Sequence, residues 1–243
     1  MTPLIFPDWP QLDNVGACST TRLGGVSLPP YDSLNLGNHV GDDAECVERN
    51  RKLLVEYAQL PQQPVWLEQV HGTRVINLDG QPVKDNQADA VYTNMPGQVC
   101  AVMTADCLPV LFCAIAGDEI AAAHAGWRGL CTGVLENTVS RFSAKPEMIR
   151  TWLGPAIGPE KFEVGREVMD AFVVTNPELE QAFTPYGNKF LANIYLLAKL
   201  KLQSIGINEV FGGTACTATE ERNFFSYRRD GNTGRMATLI WLR

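Results

Sequence analysis

The run Val99-Cys100-Ala101-Val102-Met103-Thr104-Ala105-Asp106-Cys107-Leu108-Pro109-Val110-Leu111-Phe112-Cys113-Ala114-Ile115-Ala116-Gly117 is apolar almost throughout. Its length approaches the ~20 residues of a membrane-spanning helix. Asp106 and Pro109 stand in its middle, however, and neither suits that structure. An unpaired carboxylate is costly in an apolar medium, and proline inside a helix removes a donor and clashes with the preceding turn. Two short buried strands, Val99 to Thr104 and Leu108 to Ala114, divided by a polar break, accommodate both residues. No membrane partner is therefore expected.

Further strand-like runs lie on either side: Val15 to Thr20, Pro64 to Val70, Arg74 to Leu78, Ala88 to Thr93 and Glu119 to Ala123, then Ile149 to Leu153, Glu209 to Gly212 and Met236 to Trp241. Helical spacing is clear in Val47, Asn50, Leu54 and Tyr57, with Asp42 or Asp43 as the cap. A second helix is predicted after Gly129 with Leu130, Val134, Thr138 and Phe142 along one side, a third from Leu191 to Ser204, and a shorter one from Arg166 to Val174. Strands come in groups instead of alternating with helices, which excludes a doubly wound parallel sheet and predicts a mixed α/β (α+β) fold. No repeat or linker divides the chain, so residues 1–243 read as one domain.

The formal net charge of -7 removes the attraction that nucleic-acid binding requires. The first residues show no basic, apolar export signal, so the expected location is the cytoplasm. Seven cysteines with no Cys-x-x-Cys pair argue against a complete disulfide framework.

The chain has three histidines, each within two residues of a glycine: His39, His71 and His124. His71 and His124 end apolar runs, where a sheet can hold a side chain at a cleft. Cys107 occupies the polar break beside Asp106. Either Asp106 caps a turn and Cys107 fills core, or both serve a site. The histidine and cysteine spacings are too long for a zinc finger. If His71, Cys107 and His124 converge, two imidazoles and a thiolate leave one tetrahedral position open, as in a catalytic zinc site, with Glu68 or Asp106 as proton carrier. Arg128 follows a glycine at a predicted helix start, Arg22 lies in Thr21-Arg22-Leu23-Gly24-Gly25-Val26-Ser27, and either could hold phosphate or be an ordinary surface arginine. Gly154 to Pro159 reads as a cleft wall. Phe224 to Asp230 joins aromatic surface to Arg228, for stacking on a flat base or for packing a sheet edge.

Several motifs in order resemble the laccase-domain (polyphenol oxidase, YfiH-type) purine nucleoside phosphorylase family. They are Thr21 to Ser27, Ser33-Leu34-Asn35-Leu36-Gly37, Gln69-Val70-His71-Gly72, Thr104 to Pro109, His124-Ala125-Gly126-Trp127-Arg128-Gly129, Gly154 to Pro159 and Phe225 to Asp230. The resemblance implies a layered α/β/β/α sandwich and a zinc site, with copper as the other candidate, on His71, Cys107 and His124. It implies phosphorolysis of adenosine, inosine or methylthioadenosine to a base and a ribose 1-phosphate, together with adenosine deamination. Small-molecule nucleoside and phosphate are then the partners, and a monomer is the working expectation. Cys107, His71, His124 and Asp106 are the catalytic candidates, and Arg22, His39, Arg128 and Arg228 the substrate-binding ones. Relatives commonly carry aspartate where this chain has Asn193. Two other functions compete. A cysteine or metal hydrolase acting on an amide bond, such as that of a cell-wall precursor, would use Cys107 as nucleophile. A copper phenol oxidase would need a trinuclear centre with many more imidazoles than this chain supplies.

Overall fold

The computed structural model describes residues 3–243. In chain order the first elements are β1 (Leu4–Ile5), β2 (Val15–Thr20), α1 (Ala44–Ala58), β3 (Val75–Asn77), β4 (Ala90–Thr93), β5 (Val99–Thr104), β6 (Leu108–Ala114) and β7 (Ile120–Ala125). After them come α2 (Trp127–Thr132), α3 (Val134–Val139), β8 (Ile149–Leu153), β9 (Glu163–Val164) and α4 (Arg166–Val173). The chain closes with β10 (Phe183–Tyr186), β11 (Lys189–Ala192), α5 (Ile194–Ser204), β12 (Glu209–Gly212), α6 (Tyr227–Asp230) and β13 (Met236–Leu242). Strands β1-β2-β13-β5 form an antiparallel sheet, and β12-β8-β6-β7-β4-β3 a larger mixed one, parallel at its two edge pairs. A small antiparallel sheet, β10-β11-β9, stands apart from both.

Side-chain alternation explains the layering. Along β5, Val99, Ala101 and Met103 pack beneath α1 with Leu54, while Cys100 and Val102 face the larger sheet. Along β6, Leu111 and Cys113 meet that same interlayer, while Leu108, Val110 and Phe112 pack on α2 to α5 with Leu135, Phe172 and Leu197. Both faces of each strand are covered, so both read as continuous apolar runs, and full burial of each large aliphatic side chain contributes about 1.5–3 kcal/mol. The result is the α/β/β/α sandwich in a mixed α/β fold. No helix among the described residues is long and apolar enough to cross a membrane.

Three segments differ from the sequence prediction for local reasons. Pro64 to Val70 joins no sheet and makes a single bridge, Glu68 to Gln87. The side chain of Gln69 takes the place of a ladder there, accepting from Met103 N at 2.7 Å and donating to its carbonyl at 2.8 Å. The second helix begins at Trp127 and breaks at Gly133, whose φ of 105° only glycine tolerates readily. Leu191 and Ala192 belong to β11, and α5 starts after Asn193, whose side chain accepts from Leu196 N at 3.0 Å. That residue is thus an N-cap, a role that aspartate and asparagine fill equally well. On α1, Asp43 is the cap and Asn50 and Leu54 are buried, whereas Tyr57 is half-exposed and donates to the carbonyl of Gly24.

Candidate functional site

The polar break between β5 and β6 and the end of β7 lie at one end of the sandwich, and the site is built there. β4 and β7 run antiparallel with Ala90 opposite Ala123, so Asp89 falls opposite His124. His124 N donates to the Asp89 carbonyl at 2.7 Å, and His124 Nδ1 lies 2.8 Å from Asp89 Oδ1. The same carboxylate, fully buried, accepts from three successive backbone N–H groups: Val70 at 3.2 Å, His71 at 2.9 Å and Gly72 at 2.6 Å. His71 has φ of 60°, a left-handed conformation costing roughly 1–2 kcal/mol, and it is this turn that aims the three donors at one anion. A single carboxylate therefore fixes both histidines, one through its ring and one through its backbone.

Cys107 is held from the other side. Its neighbour Asp106, at φ of 90°, accepts hydrogen bonds from Thr217 Oγ1 at 2.6 Å, Ser226 Oγ at 3.0 Å and Arg228 N at 2.6 Å. Its carbonyl accepts from Ile157 N at 2.9 Å. Both carboxylate oxygens are thus engaged in anchoring α6 and the loop that precedes it. Gly126, just after β7, completes the closure: a Cβ on it would stand 2.7 Å from His71 Cδ2 and 3.2 Å from Cys107 Sγ.

The ligating atoms of His71, Cys107 and His124 all lie within 4.8 Å of one another, with Cys107 Sγ 3.8 Å from His71 Nε2 and the two rings edge-on. Tetrahedral zinc with ordinary Zn–N and Zn–S bonds sets sulfur and nitrogen about 3.6 Å apart. Asp89 occupies His124 Nδ1, which leaves Nε2 as the ligating nitrogen, the arrangement usual for metal-bound histidine. The donor set fits a metal ion. Electrostatics agree: burial pushes the Cys107 thiol up, but His124 and His71 outweigh it and bring its pKa down to about 6. Burial disfavours a charged His124, yet Cys107 and Asp89 raise it to about 9. Burial would raise Asp89 as well, but its bonds to His124, Gly72 and Val70 hold it below the usual carboxylate range.

An expected result follows for protein stripped of metal by a chelator. Iodoacetamide reacts with the thiolate, so modification of Cys107 accelerates as pH rises through about 6 and levels off above it. Cys18 and Cys113, buried with pKa values pushed up to about 12, stay unmodified in the same range. Peptide mass spectrometry reads both, and a midpoint near 9 for Cys107 would remove the imidazole coupling.

The cluster opens into a cavity of about 370 Å³, within the usual size for small-molecule sites, lined also by His39, Gln69, Met103, Tyr227 and Arg235. The sequence candidates distribute unevenly around it. His39 lines it, and its pKa is lowered by partial burial and by Arg235 and Arg51. Arg22 does not: it donates to the Asp32 carbonyl and pairs with the Asp32 carboxylate at 3.1 Å beside a separate depression. Arg128 is exposed over the Trp127 ring, on a helix of six residues. Arg228 sends its guanidinium to the carbonyls of Lys161 and Glu163. Glu68 is exposed, and the buried loop after Gly154 supports Asp106 instead of walling the cavity. Sequence reasoning missed Asp89 and Arg235. A charge beside the apolar run Ala90 to Thr93 was the available signal for the first; the second had none beyond its place before β13. A groove of about 390 Å³ at the opposite end of the sheets, bounded by Phe6, Trp9, Arg150 and Trp241, gathers no comparable set of ligating groups among the described residues.

Residues 16–243 match the family described as multi-copper polyphenol oxidoreductase laccase, and the chain belongs to that family. Within it, the chain is 61% identical to the purine nucleoside phosphorylase YfiH of Escherichia coli (strain K12), with 100% of both chains covered. It is 55% identical to the purine nucleoside phosphorylase of Haemophilus influenzae over 98% of each. A crystal structure of a Neisseria meningitidis protein, 50% identical, superposes with a TM-score of 0.95 over 99% of both chains.

Proposed function

We propose that this chain is a zinc-dependent purine nucleoside phosphorylase, converting adenosine, inosine or methylthioadenosine and phosphate to a free base and a ribose 1-phosphate, with a secondary adenosine deaminase activity. The observation carrying this reading is the His71, Cys107, His124 donor set, oriented by Asp89 at the floor of a nucleoside-sized cavity, in a chain whose relatives bear the phosphorylase name. In phosphorolysis a phosphate oxygen bonds to the ribose C1' and the C1'–N9 bond breaks, its electron pair leaving with the base. A zinc ion bound by the three ligands would supply Lewis acidity and, for deamination, an acidified water. Asp89 keeps His124 in the tautomer that leaves Nε2 unprotonated. Tyr227, exposed at the rim, offers a flat face on which the purine stacks. Asp106 acts as a positioning residue, since its carboxylate anchors the turn that carries Tyr227. The seven unpaired thiols fit a reducing compartment, the cytoplasm.

The test is metal removal. Purified protein should carry about one zinc per chain and form ribose 1-phosphate from inosine and phosphate; chelation should abolish turnover and zinc should restore it. Absence of nucleoside turnover in the zinc-loaded protein overturns the reading.

A second reading has its own support. Cys107, His124 and Asp89 stand in the order nucleophile, base and orienting carboxylate, which would serve amide hydrolysis without a metal. Activity on an amide substrate that survives chelation and disappears on alkylation of Cys107 would favour it.

A further inference from the structure

Ser33-Leu34-Asn35-Leu36-Gly37 contributes nothing to the metal cluster, yet Leu34, Asn35 and Leu36 are completely buried. What this loop holds is Arg235. Asn35 Oδ1 accepts from Arg235 N at 2.9 Å and from Gly37 N at 3.0 Å. A Cβ on Gly37 would stand 2.8 Å from Arg235 Cγ and 3.2 Å from its Cβ, so glycine alone lets the aliphatic stem lie against the loop. At the far end, Arg235 Nη1 donates to the carbonyls of Thr233 and Gly234, each at 3.0 Å.

The guanidinium is thereby fixed at the cavity wall. Its Nε and Nη2 meet no acceptor, and no carboxylate pairs with it, among the described residues. A half-buried cation with no ion-pair partner in contact has lost hydration that nearby charges offset only in part. Burial accordingly lowers its proton affinity, against the pull of Cys107, Asp106 and Tyr227. The other arginines singled out in the sequence have partners elsewhere: Arg22 on Asp32, Arg228 on two carbonyls, Arg128 over Trp127. Arg235 is the arginine that faces the cavity holding the cluster, and His39 faces it too. Two unused N–H groups on one edge of a rigid guanidinium match two oxygens of a tetrahedral oxyanion.

We propose that Arg235, seated on Asn35 and Gly37 and joined by His39, is the phosphate-binding subsite of this cavity and holds the attacking oxyanion beside the His71, Cys107 and His124 cluster. The assignment of that oxyanion as co-substrate rests on the phosphorylase reading; the subsite itself does not.

Calorimetric titration with inorganic phosphate, without nucleoside, tests the subsite on the zinc-loaded wild type and on Arg235→Gln, Arg235→Lys and His39→Ala. Loss of a charge-assisted, two-pronged contact weakens binding about 10- to 100-fold, the expected change in phosphate Kd for Arg235→Gln, with partial recovery in Arg235→Lys. His39 is exposed, so His39→Ala keeps the fold, and it should weaken phosphate about three- to tenfold. In turnover assays, the KM for phosphate should rise with the Kd while that for inosine moves less than about threefold. Wild type that binds no phosphate, an unchanged phosphate Kd in Arg235→Gln, or an equal rise in both KM values overturns the subsite. Should Arg235→Gln not fold, unchanged affinities in Arg235→Lys and His39→Ala do the same. Phosphate bound by the wild type and lost in Arg235→Gln, with no nucleoside turned over, upholds the subsite and overturns the phosphorylase reading alone.

Discussion

Replacing Asp89 with alanine is expected to cost the metal-free protein about 3–5 kcal/mol of stability, the range for removing one partner from a buried charged network. The wild-type carboxylate satisfies the N–H groups of residues 70, 71 and 72 and the His124 ring. Alanine leaves the buried His124 ring and three part-buried backbone donors without their acceptor, and the left-handed turn at His71 loses what offsets its strain. Urea unfolding of chelator-treated protein measures the loss as a lower midpoint. Zinc affinity, from competition with a chromophoric chelator, should fall by at least about 10- to 100-fold, the usual effect of deleting the partner of a metal-bound histidine. Asp89→Asn separates the two effects. Its amide oxygen, in the place of Oδ2, can still accept from the Val70 and Gly72 N–H groups. Its NH2 group, in the place of Oδ1, leaves the His71 N–H without its acceptor and faces His124 Nδ1, which becomes the acceptor and moves the ring proton to Nε2. That variant should lose less stability than Asp89→Ala, since two of the three backbone donors keep their acceptor, and much zinc affinity. Equal zinc affinity in wild type and Asp89→Asn would show that the carboxylate does not set the tautomer.

What was legible beforehand follows from where the constraints lie. β5 and β6 could be bounded to the residue because both faces of each are covered, and a single charged break at Asp106 interrupts the apolar run. His71, Cys107 and His124 could be picked out as residue types, and the motifs around them carried the family. Their convergence depends on Asp89, whose partners come from a loop and a strand distant in sequence, so the one local mark it carries is a charge beside an apolar run. Pro64 to Val70 resembled a strand since Leu67 packs in the core and Trp66 lies under Arg51, while its hydrogen bonds run through the Gln69 side chain. Phe224 to Asp230 suggested an aromatic strand, but Ser226 caps a single helical turn and Asp106 accepts from its second N–H. Arg22 and Arg128 were chosen for neighbouring glycines and Arg228 for its aromatic neighbours, criteria blind to Asp32 and the carbonyls that engage Arg22 and Arg228. Arg235 escaped because its cradle, Asn35 and Gly37, lies at the other end of the chain.

Gly126→Ala should leave a folded protein that has lost its metal site. The backbone at Gly126, φ -60° and ψ 153°, is open to any residue, so the substitution carries no conformational penalty of its own. Its effect is steric. The new methyl would overlap His71 Cδ2 at 2.7 Å and crowd Cys107 Sγ at 3.2 Å, and neither neighbour yields easily. The His71 backbone is locked to Asp89, and Cys107 is anchored through Asp106 to three donors from the C-terminal part of the chain. Overpacking of this kind costs typically 1–3 kcal/mol, here about half the Asp89→Ala effect. Metal affinity should suffer more, because a ligand set must hold its geometry to within about 0.5 Å. The expected outcome is native-like circular dichroism, a modestly lowered urea midpoint, and bound zinc below about one tenth of the wild-type level after dialysis. Full zinc occupancy in this variant would mean that the His71 ring can swing clear of the methyl and still ligate, and would place the rigidity of the site in Asp89 alone.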